Sequence, residues 1–446
     1  MNYIDFLKYF CVCPVAQDIG GSLTNQFDGV YCGIAQGSDS KFVFIFQDRS
    51  FKGGSVGTIH AKHIILAIET AISLRLPIIM NLFTGGARLQ EGMLAGSGAI
   101  QCLHTIAKAS GYIPIISIVE GVNAGVGSYL IALSDVAIFV QNDSEVFLTG
   151  PKVIEAVLGR KFDRKELGST EVHNTHTGLC SHVVADIESG YQLANKLLKF
   201  YAKCGQPINL QPTNDRINFN DIIPKENNVG YDMLGVIKKI VDADSIIEFY
   251  NGYAKNLLTL FAEINNTPIA IIANQPKVLS GALEIKSCKK FARFLQICDA
   301  HQIPIVFLAD CPGIMPGIEQ ERMGIIPYSG KVAQILTHCT TIRITIVLRR
   351  LIGGSNPIMN SKAIGADSFF AWNSASIGIM GEKASVNLLK KDQQHQMTLQ
   401  EMKKAGIIDE IIQPEDTKKA IVLALIKHQS KSTSSFNSKI RTINPM

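Results

Sequence analysis

Short apolar runs and longer amphipathic stretches alternate along this chain, and they do so twice. Strand-like runs fall at KFVFIF (41–46), LPIIMNLF (76–83), IPIISIV (113–119) and DVAIFV (135–140), with helical stretches at 58–75 and 90–110 between them. Farther on the runs are TPIAIIA (267–273), IPIVFLAD (303–310) and IRITIVLR (342–349), with helical stretches at 287–302 and 329–340. Aliphatic runs too short for helices mark strands buried on both faces. Their alternation with helical periods predicts βαβ units around a largely parallel sheet. The expected fold class is α/β, in two units covering 27–200 and 230–430. Between them CGQPINLQPTNDRINFNDIIP (204–224) is rich in Pro, Asn and Asp and has no period, which predicts a linker. The domain bounds expected are 1–220 and 221–430. AGIIDEIIQPEDTKKAIVLALIK predicts a closing strand, turn and helix, and the polar residues 431–446 predict a disordered or loosely docked tail.

The two units share their punctuation as well. KGGSVG, LPIIMNLFTGGARLQEG and IPIISIVEGVNAGVGSYLIALSD in the first correspond to VLSGALEIKS, IPIVFLADCPGIMPGIEQE and IRITIVLRRLIGGSNPIMNSKAIGAD in the second. Ser55 and Ser280 lie 225 residues apart, Pro77 and Pro304 lie 227 apart, and Gly125 and Gly354 lie 229 apart. Each copy places a glycine turn after a strand and before a helix, a geometry that aims backbone N–H groups at an anion. Two such turns suit chemistry that develops negative charge on two partners; the plainer alternative is duplication of a stable α/β unit with no site. In the first unit the N–H groups of Gly125 and Val126 would stand at the mouth of a helix beginning near Ser128 and could hold an enolate oxygen. A helix packed tightly on a strand needs glycine too. In the second unit the donors would be those of Gly354 and Ser355. Ser355 lacks the G-x-S-x-G elbow and an obvious histidine base, so it is not expected to be a nucleophile. Gly85 and Gly86 free the backbone ahead of Arg88, whose planar fork suits phosphate or carboxylate, unless it pairs with Glu91 or another acid. GGARLQEG matches neither G-x-G-x-x-G nor the P-loop, which argues against a dinucleotide or ATP site. DCPGIMPGIEQE (310–321), with Gly313 and Gly317, predicts a rigid Pro/Gly loop that could wall a slot or serve as architecture. Neither turn has an obvious general base beside it. His173 and His176 lie in a loop-like stretch without metal-ligand spacing, and no metal site is expected.

Composition narrows the picture further. The chain has 446 residues, 46% apolar and 18% charged, which describes a globular protein apolar enough to bury surface in an oligomer. A net charge of +5 spread over that length gives no support to a nucleic-acid role and suits an anionic substrate such as a nucleotide-bearing thioester. Ten cysteines form neither a disulfide framework nor paired C-x2-C knuckles, as expected for small buried residues of a reducing compartment. No apolar run reaches about 18 residues. MNYIDFLKYFCVCPV, with Asp5 and no basic leader, resembles neither a signal nor a transit peptide, so a cytoplasmic location is expected.

Taken together, GGARLQEG, LTGPKVIEAVLG, NQPKVLSGALEI, DCPGIMPGIEQE, GGSNPIMNSK and AWNSASIGIMG resemble the carboxyltransferase β subunit of biotin-dependent acyl-CoA carboxylases, of the propionyl-CoA carboxylase type, from about Asp28 to Lys427. The resemblance implies two tandem crotonase-like (ClpP/crotonase) domains, the first for acyl-CoA and the second for carboxybiotin, in head-to-tail dimers that stack as a hexamer. It implies transfer of CO2 from the biotin ureido nitrogen to the acyl α-carbon, both partners passing through enolate-like states. The freed nitrogen would take the α-proton, so no protein base is required. Biotin would arrive on a separate carrier protein, with a biotin carboxylase as a further partner. Carried over position by position, Gly125 and Val126 would hold the thioester oxygen and Gly354 and Ser355 the ureido oxygen. Gly53, Gly54, Gly85, Gly86, Ala87, Arg88, Gly313, Gly317, Gly353 and Asn356 would contribute to the CoA and biotin sites. The family usually has glycine at Val126, alanine at Ser355, Asp-Ser at Phe83 and Thr84, and Tyr-Asp at Asn356 and Pro357. Much of its N-terminal helical segment is absent here, and the stretch between Ala384 and Gly406 is shortened. These departures bear on acyl preference. They keep two other readings open: the carboxyltransferase subunit of a biotin-dependent decarboxylase, and a non-catalytic acyl-thioester-binding member.

Overall fold

The computed structural model describes residues 2–11, 13–226, 229–381, 397–434 and 443–446. The chain divides into two compact units, Met1–Lys203 with Ile440–Met446, and Cys204–Lys439. The stretch expected to link them is part of the second unit. Leu210 and Phe219 are buried in its core, the Phe219 ring lies 5.5 Å from that of Trp372, and the Ile217 N–H donates to the Glu415 carbonyl at 3.1 Å. Burial of two large apolar side chains stabilises this docking by roughly 1.5–3 kcal/mol each. That contribution moves the boundary from 220 back to 203.

Each unit is built on an eight-stranded sheet. The first comprises β1 (Ala16–Asp18), β2 (Val30–Gln36), β3 (Lys41–Gln47), β4 (Ile78–Thr84), β5 (Ile115–Ala124), β6 (Val136–Val140), β7 (Glu145–Phe147) and β8 (His182–Val184). Its order is β1-β2-β3-β4-β5-β6-β8, with β7 also paired to β5. The second comprises β9 (Ile247–Phe249), β10 (Leu257–Ile264), β11 (Thr267–Asn274), β12 (Ile305–Cys311), β13 (Arg343–Ile352), β14 (Ser368–Trp372), β15 (Ser376–Gly378) and β16 (Glu410–Ile412). Its order is β9-β10-β11-β12-β13-β14-β16, with β15 paired to β13. In both, the first three strands run antiparallel and the rest are parallel. The apolar runs fill the interiors: β12 is buried along its whole length, and β4 and β5 are buried at each of their first five residues.

The helical stretches are present as Thr58–Leu74, Gly92–Ala109, Ile285–Ala300 and Ile325–His338. The pattern did not predict β2 or β10. In β2 the glycine Gly33 interrupts the apolar run, because a Cβ there would stand 2.8 Å from the Gln17 carbonyl of β1. β10 joins β11 through Asn265 and Asn266, both at positive φ (48° and 61°), the geometry of a tight hairpin turn. The closing strand, turn and helix are β16, Pro414–Asp416 and Thr417–Ser434. Of the expected tail, residues 435–442 lie outside the described residues, as does most of the stretch between Ala384 and Gly406. Ile443 is buried, and its carbonyl accepts from Ser110 Oγ at 3.4 Å. No described helix is long and apolar enough to cross a membrane.

Candidate active site

The two sheets repeat the same contacts at their functional ends. The isolated bridge Val56–Ala87 has its counterpart in Leu283–Ile314, offset by 227 residues. At the same offset, a Cβ on Gly54 would lie 2.5 Å from the Phe83 carbonyl and one on Gly281 2.6 Å from the Asp310 carbonyl. Each of these glycines ends a run of three left-handed residues, Lys52–Gly53–Gly54 and Leu279–Ser280–Gly281. The true counterpart of Gly54 is therefore Gly281, and the expected match of Ser55 with Ser280 is two residues out of step.

The glycine turns follow β5 and β13. Gly125 has φ 61° and ψ −120°, and Gly353 has φ 60°, conformations that side chains rarely allow. Gly125 N–H donates to the Phe147 carbonyl on β7 at 3.3 Å, and Gly353 N–H to the Gly378 carbonyl on β15 at 2.8 Å. Gly125 is thus the counterpart of Gly353, not of Gly354. Its role is conformational, because its N–H completes a sheet bond; this corrects its assignment as a donor. The helix begins at Val126, not near Ser128. Among the described residues, the N–H groups of Val126 and Gly127 meet no acceptor, and neither do those of Gly354 and Ser355. Val126 has a helical backbone, and its branched side chain joins the core, so its bulk does not stand in the turn.

The loops after β4 and β12 lie against these turns. A Cβ on Gly86 would stand 3.7 Å from the Ala124 carbonyl, and one on Gly313 3.7 Å from the Ile352 carbonyl. Gly86 N–H donates to Thr84 Oγ1 at 3.1 Å. Gly53 and Gly85 adjoin, since a Cβ on Gly85 would be 3.4 Å from the Gly53 carbonyl. The structure therefore brings Gly53, Gly54, Gly85, Gly86 and Ala87 to the first turn, and Gly313 to the second. Gly317 is exposed, with nothing within 4 Å of its Cβ position. Asn356 and Pro357, beside the second turn, line a cavity of about 430 Å³ together with Phe369, Ile377 and Ile407.

Arg88 is not available to a phosphate. Its guanidinium is buried and Nη1 donates to both Asp28 oxygens at 2.9 and 3.0 Å and to Glu91 at 2.7 Å, while Nη2 donates to the Ser55 carbonyl at 3.0 Å. The Thr58 N–H and hydroxyl, with Arg88, hold the Glu91 carboxyl down to about 2. Ser355 Oγ donates to the Ile352 carbonyl at 2.7 Å, so this hydroxyl caps its own turn. Sequence reasoning also missed the ion cluster under the second turn. Asp310, fully buried, accepts from Arg349 Nε at 2.7 Å and Arg350 Nε at 2.8 Å, and Arg350 Nη2 reaches the Ser280 carbonyl at 3.3 Å. The adjacent arginines in VLRRLIGG were the visible signal.

A family model described as "Carboxyl transferase domain" matches residues 26–443. The chain is 34% identical over 431 residues to the putative propionyl-CoA carboxylase beta chain of Bacillus subtilis, covering 91% of this chain and 84% of that protein. It is 35% identical over 413 residues to the methylmalonyl-CoA decarboxylase subunit alpha of Veillonella parvula, covering 88% and 81%. Among solved structures, a transcarboxylase 12S hexamer with hydrolysed methylmalonyl-coenzyme A bound is similar over 100% of this chain and 92% of that one, with a TM-score of 0.91 and 33% identity.

Proposed function

Since the chain belongs to the carboxyl transferase family, enzymes that move a carboxyl group between biotin and acyl-CoA, we propose that its two glycine turns hold the two reacting oxygens. The observation that carries this reading is that the turn is repeated along with the fold. Among the described residues, each unit leaves two adjacent N–H groups without an acceptor at the same sheet end. The first unit takes the acyl-CoA thioester at Val126 and Gly127. The second takes biotin at Gly354 and Ser355, borne on a separate carrier protein that a biotin carboxylase charges. When bound, carboxybiotin supplies the carboxyl group and a nitrogen that accepts the acyl α-proton. The chain's own part is electrostatic: two fixed N–H donors stabilise the charge that develops on each oxygen, and one such donor is worth about 10²–10³ in kcat. The side chains bonded to the turns are hydroxyls already committed to the backbone. Thr84 receives Gly86, Ser128 Oγ donates to Gly125 at 2.7 Å, and Ser355 Oγ donates to Ile352. None is placed as a base.

The chain acts as a homo-oligomer. Leu89, Met93, Ile318 and Ile326 stand at least 70% exposed on the helices that follow the two loops, and subunit contacts would cover them. The test is label exchange between a carboxylated biotin carrier and acetyl- or propionyl-CoA, with light scattering for size. Label should appear in the carboxylated acyl-CoA. Binding of acyl-CoA without exchange under any carrier would support the non-catalytic reading instead. The decarboxylase relative uses the reverse direction in its name, and the same residues serve both. Co-purification of an ATP-using carboxylase or of a membrane pump subunit distinguishes them.

A further inference from the structure

The loop after β4, Thr84–Gly85–Gly86–Ala87, lies against the first glycine turn; it is flanked by Phe83 and Arg88, and both flanks trace to one buried residue. On one side Arg88 Nη1 donates to the Asp28 carboxylate at 2.9 and 3.0 Å. On the other the path has three links. The Asp28 carbonyl meets His60 Nδ1 at 2.9 Å, and a carbonyl can only accept, so Nδ1 carries the proton. Nε2 of the neutral ring is then an acceptor and takes Gln47 Nε2 at 3.0 Å. That fixes the amide, leaving Gln47 Oε1 to accept the Phe83 N–H at 3.1 Å. Burial, which brings the His60 pKa down to about 4, keeps the ring neutral. The Asp28 carboxylate also accepts the His60 N–H at 3.1 Å, seating the first turn of the Thr58–Leu74 helix. Asp28, His60, Gln47 and Arg88 are all buried.

The second unit repeats one limb of this clamp and lacks the other. Asn274, at the Gln47 position plus 227, accepts the Asp310 N–H at 3.2 Å through Oδ1, and Asp310 is Phe83 plus 227. Met315 stands where the first unit has Arg88, and the guanidiniums at this turn, those of Arg349 and Arg350, come from β13 and grip Asp310 itself. An amide that grips the strand end is common to both turns, and the Asp28–Arg88 limb belongs to the first alone.

We propose that Asp28 is a positioning residue of the acyl-side turn, holding both flanks of Thr84–Ala87 so that the loop stays seated against Gly125. This rests on reading the Gly125 turn, against which the loop is seated, as the thioester cradle. The experiment is Asp28→Asn, which keeps the shape and the carbonyl limb but removes the charge, with Gln47→Met as the second variant for the amide limb. Hydrogen–deuterium exchange of the peptide covering 83–91 reads the clamp without catalysis. Steady-state transfer to acyl-CoA reads its consequence, and acyl-independent decarboxylation of carboxybiotin serves as the control for the second unit. Expected are faster exchange confined to 83–91 and to the start of the Thr58–Leu74 helix, and kcat lower by about 10- to 100-fold with KM for acyl-CoA within about threefold. The carboxybiotin reaction should stay unchanged. Unaltered exchange at 83–91 in both variants overturns the proposal. So does a loss that strikes transfer and the carboxybiotin reaction together, which marks a general structural role. A wild-type chain that transfers nothing refutes the functional reading, and the exchange measurement still decides the clamp.

Discussion

Gly127→Ala should damage catalysis far more than stability. A Cβ at Gly127 would fall 2.4 Å from Thr84 Cγ2 and 3.2 Å from Asn123 Oδ1. Carbon atoms rest comfortably at about 3.5 Å, so the Val126–Ala132 helix must withdraw from β4 by about 1 Å. Overpacking of this kind costs about 1–3 kcal/mol, and alanine's better helix propensity returns about 1 kcal/mol, leaving a net loss of about 0–2 kcal/mol. The unaccepted N–H groups of Val126 and Gly127 ride on the displaced turn. A shift of about 1 Å in a catalytic group can cost about 10²-fold, and kcat for carboxyl transfer should fall accordingly. The urea midpoint, measured beside it, should move little. Thr84→Ser supplies the internal control. It deletes Cγ2 and keeps Oγ1, which receives the Gly86 N–H at 3.1 Å. The double variant should regain most of the lost rate. A Gly127→Ala enzyme within about twofold of wild type, or a double variant no better than the single one, would refute the reasoning.

Further outcomes follow from other contacts. Ser355→Ala loses the hydroxyl bond to Ile352 and should cost about 1 kcal/mol of stability, with transfer retained and no labelling of wild type by a serine-directed phosphonate. His60, at about 4 in the folded state against an ordinary 6.5, binds its proton more readily when unfolded. Stability should therefore fall as pH drops from 6.5 to 4, by about 3 kcal/mol, and His60→Gln should flatten that limb of the denaturation profile. Asp310→Ala strands two guanidiniums in a buried site and should destabilise by about 3–5 kcal/mol in chemical denaturation. Lys290 Nζ, wholly buried, donates to the carbonyls of Tyr250, Tyr253 and Ala254 at 3.0, 3.0 and 3.4 Å. Lys290→Met leaves these acceptors unpaired, and a loss of about 3 kcal/mol or more is expected with activity per folded molecule unchanged.

The central strands were readable because burial on both faces demands apolar residues at nearly every position, as along β4 and β12, where only Asn81, Thr84 and Asp310 break the run. β2 and β10 were hidden, since the close approach of β1 demands Gly33 within the apolar run of β2 and a hairpin turn places the Asn265–Asn266 pair at the end of β10. The turns themselves were visible from their glycines, but not the partners of those glycines. Whether Gly125 offers its N–H to a ligand or to β7 depends on where Phe147 lies, and no local pattern encodes that.

Arg88 shows the division most clearly. Its type and place told of a guanidinium beside a glycine turn. Its fate was decided by Asp28, sixty positions earlier, which folding carries to within 3.0 Å. Likewise the repeat announced two α/β halves, while the pairing of Gly54 with Gly281, 227 residues on, and of Gly125 with Gly353, 228 on, emerged only from their packing and hydrogen bonds. Periodicity and turn chemistry are local properties, written in neighbouring residues. Hydrogen-bond partners and close approaches join residues far apart in the chain, and packing alone selects them.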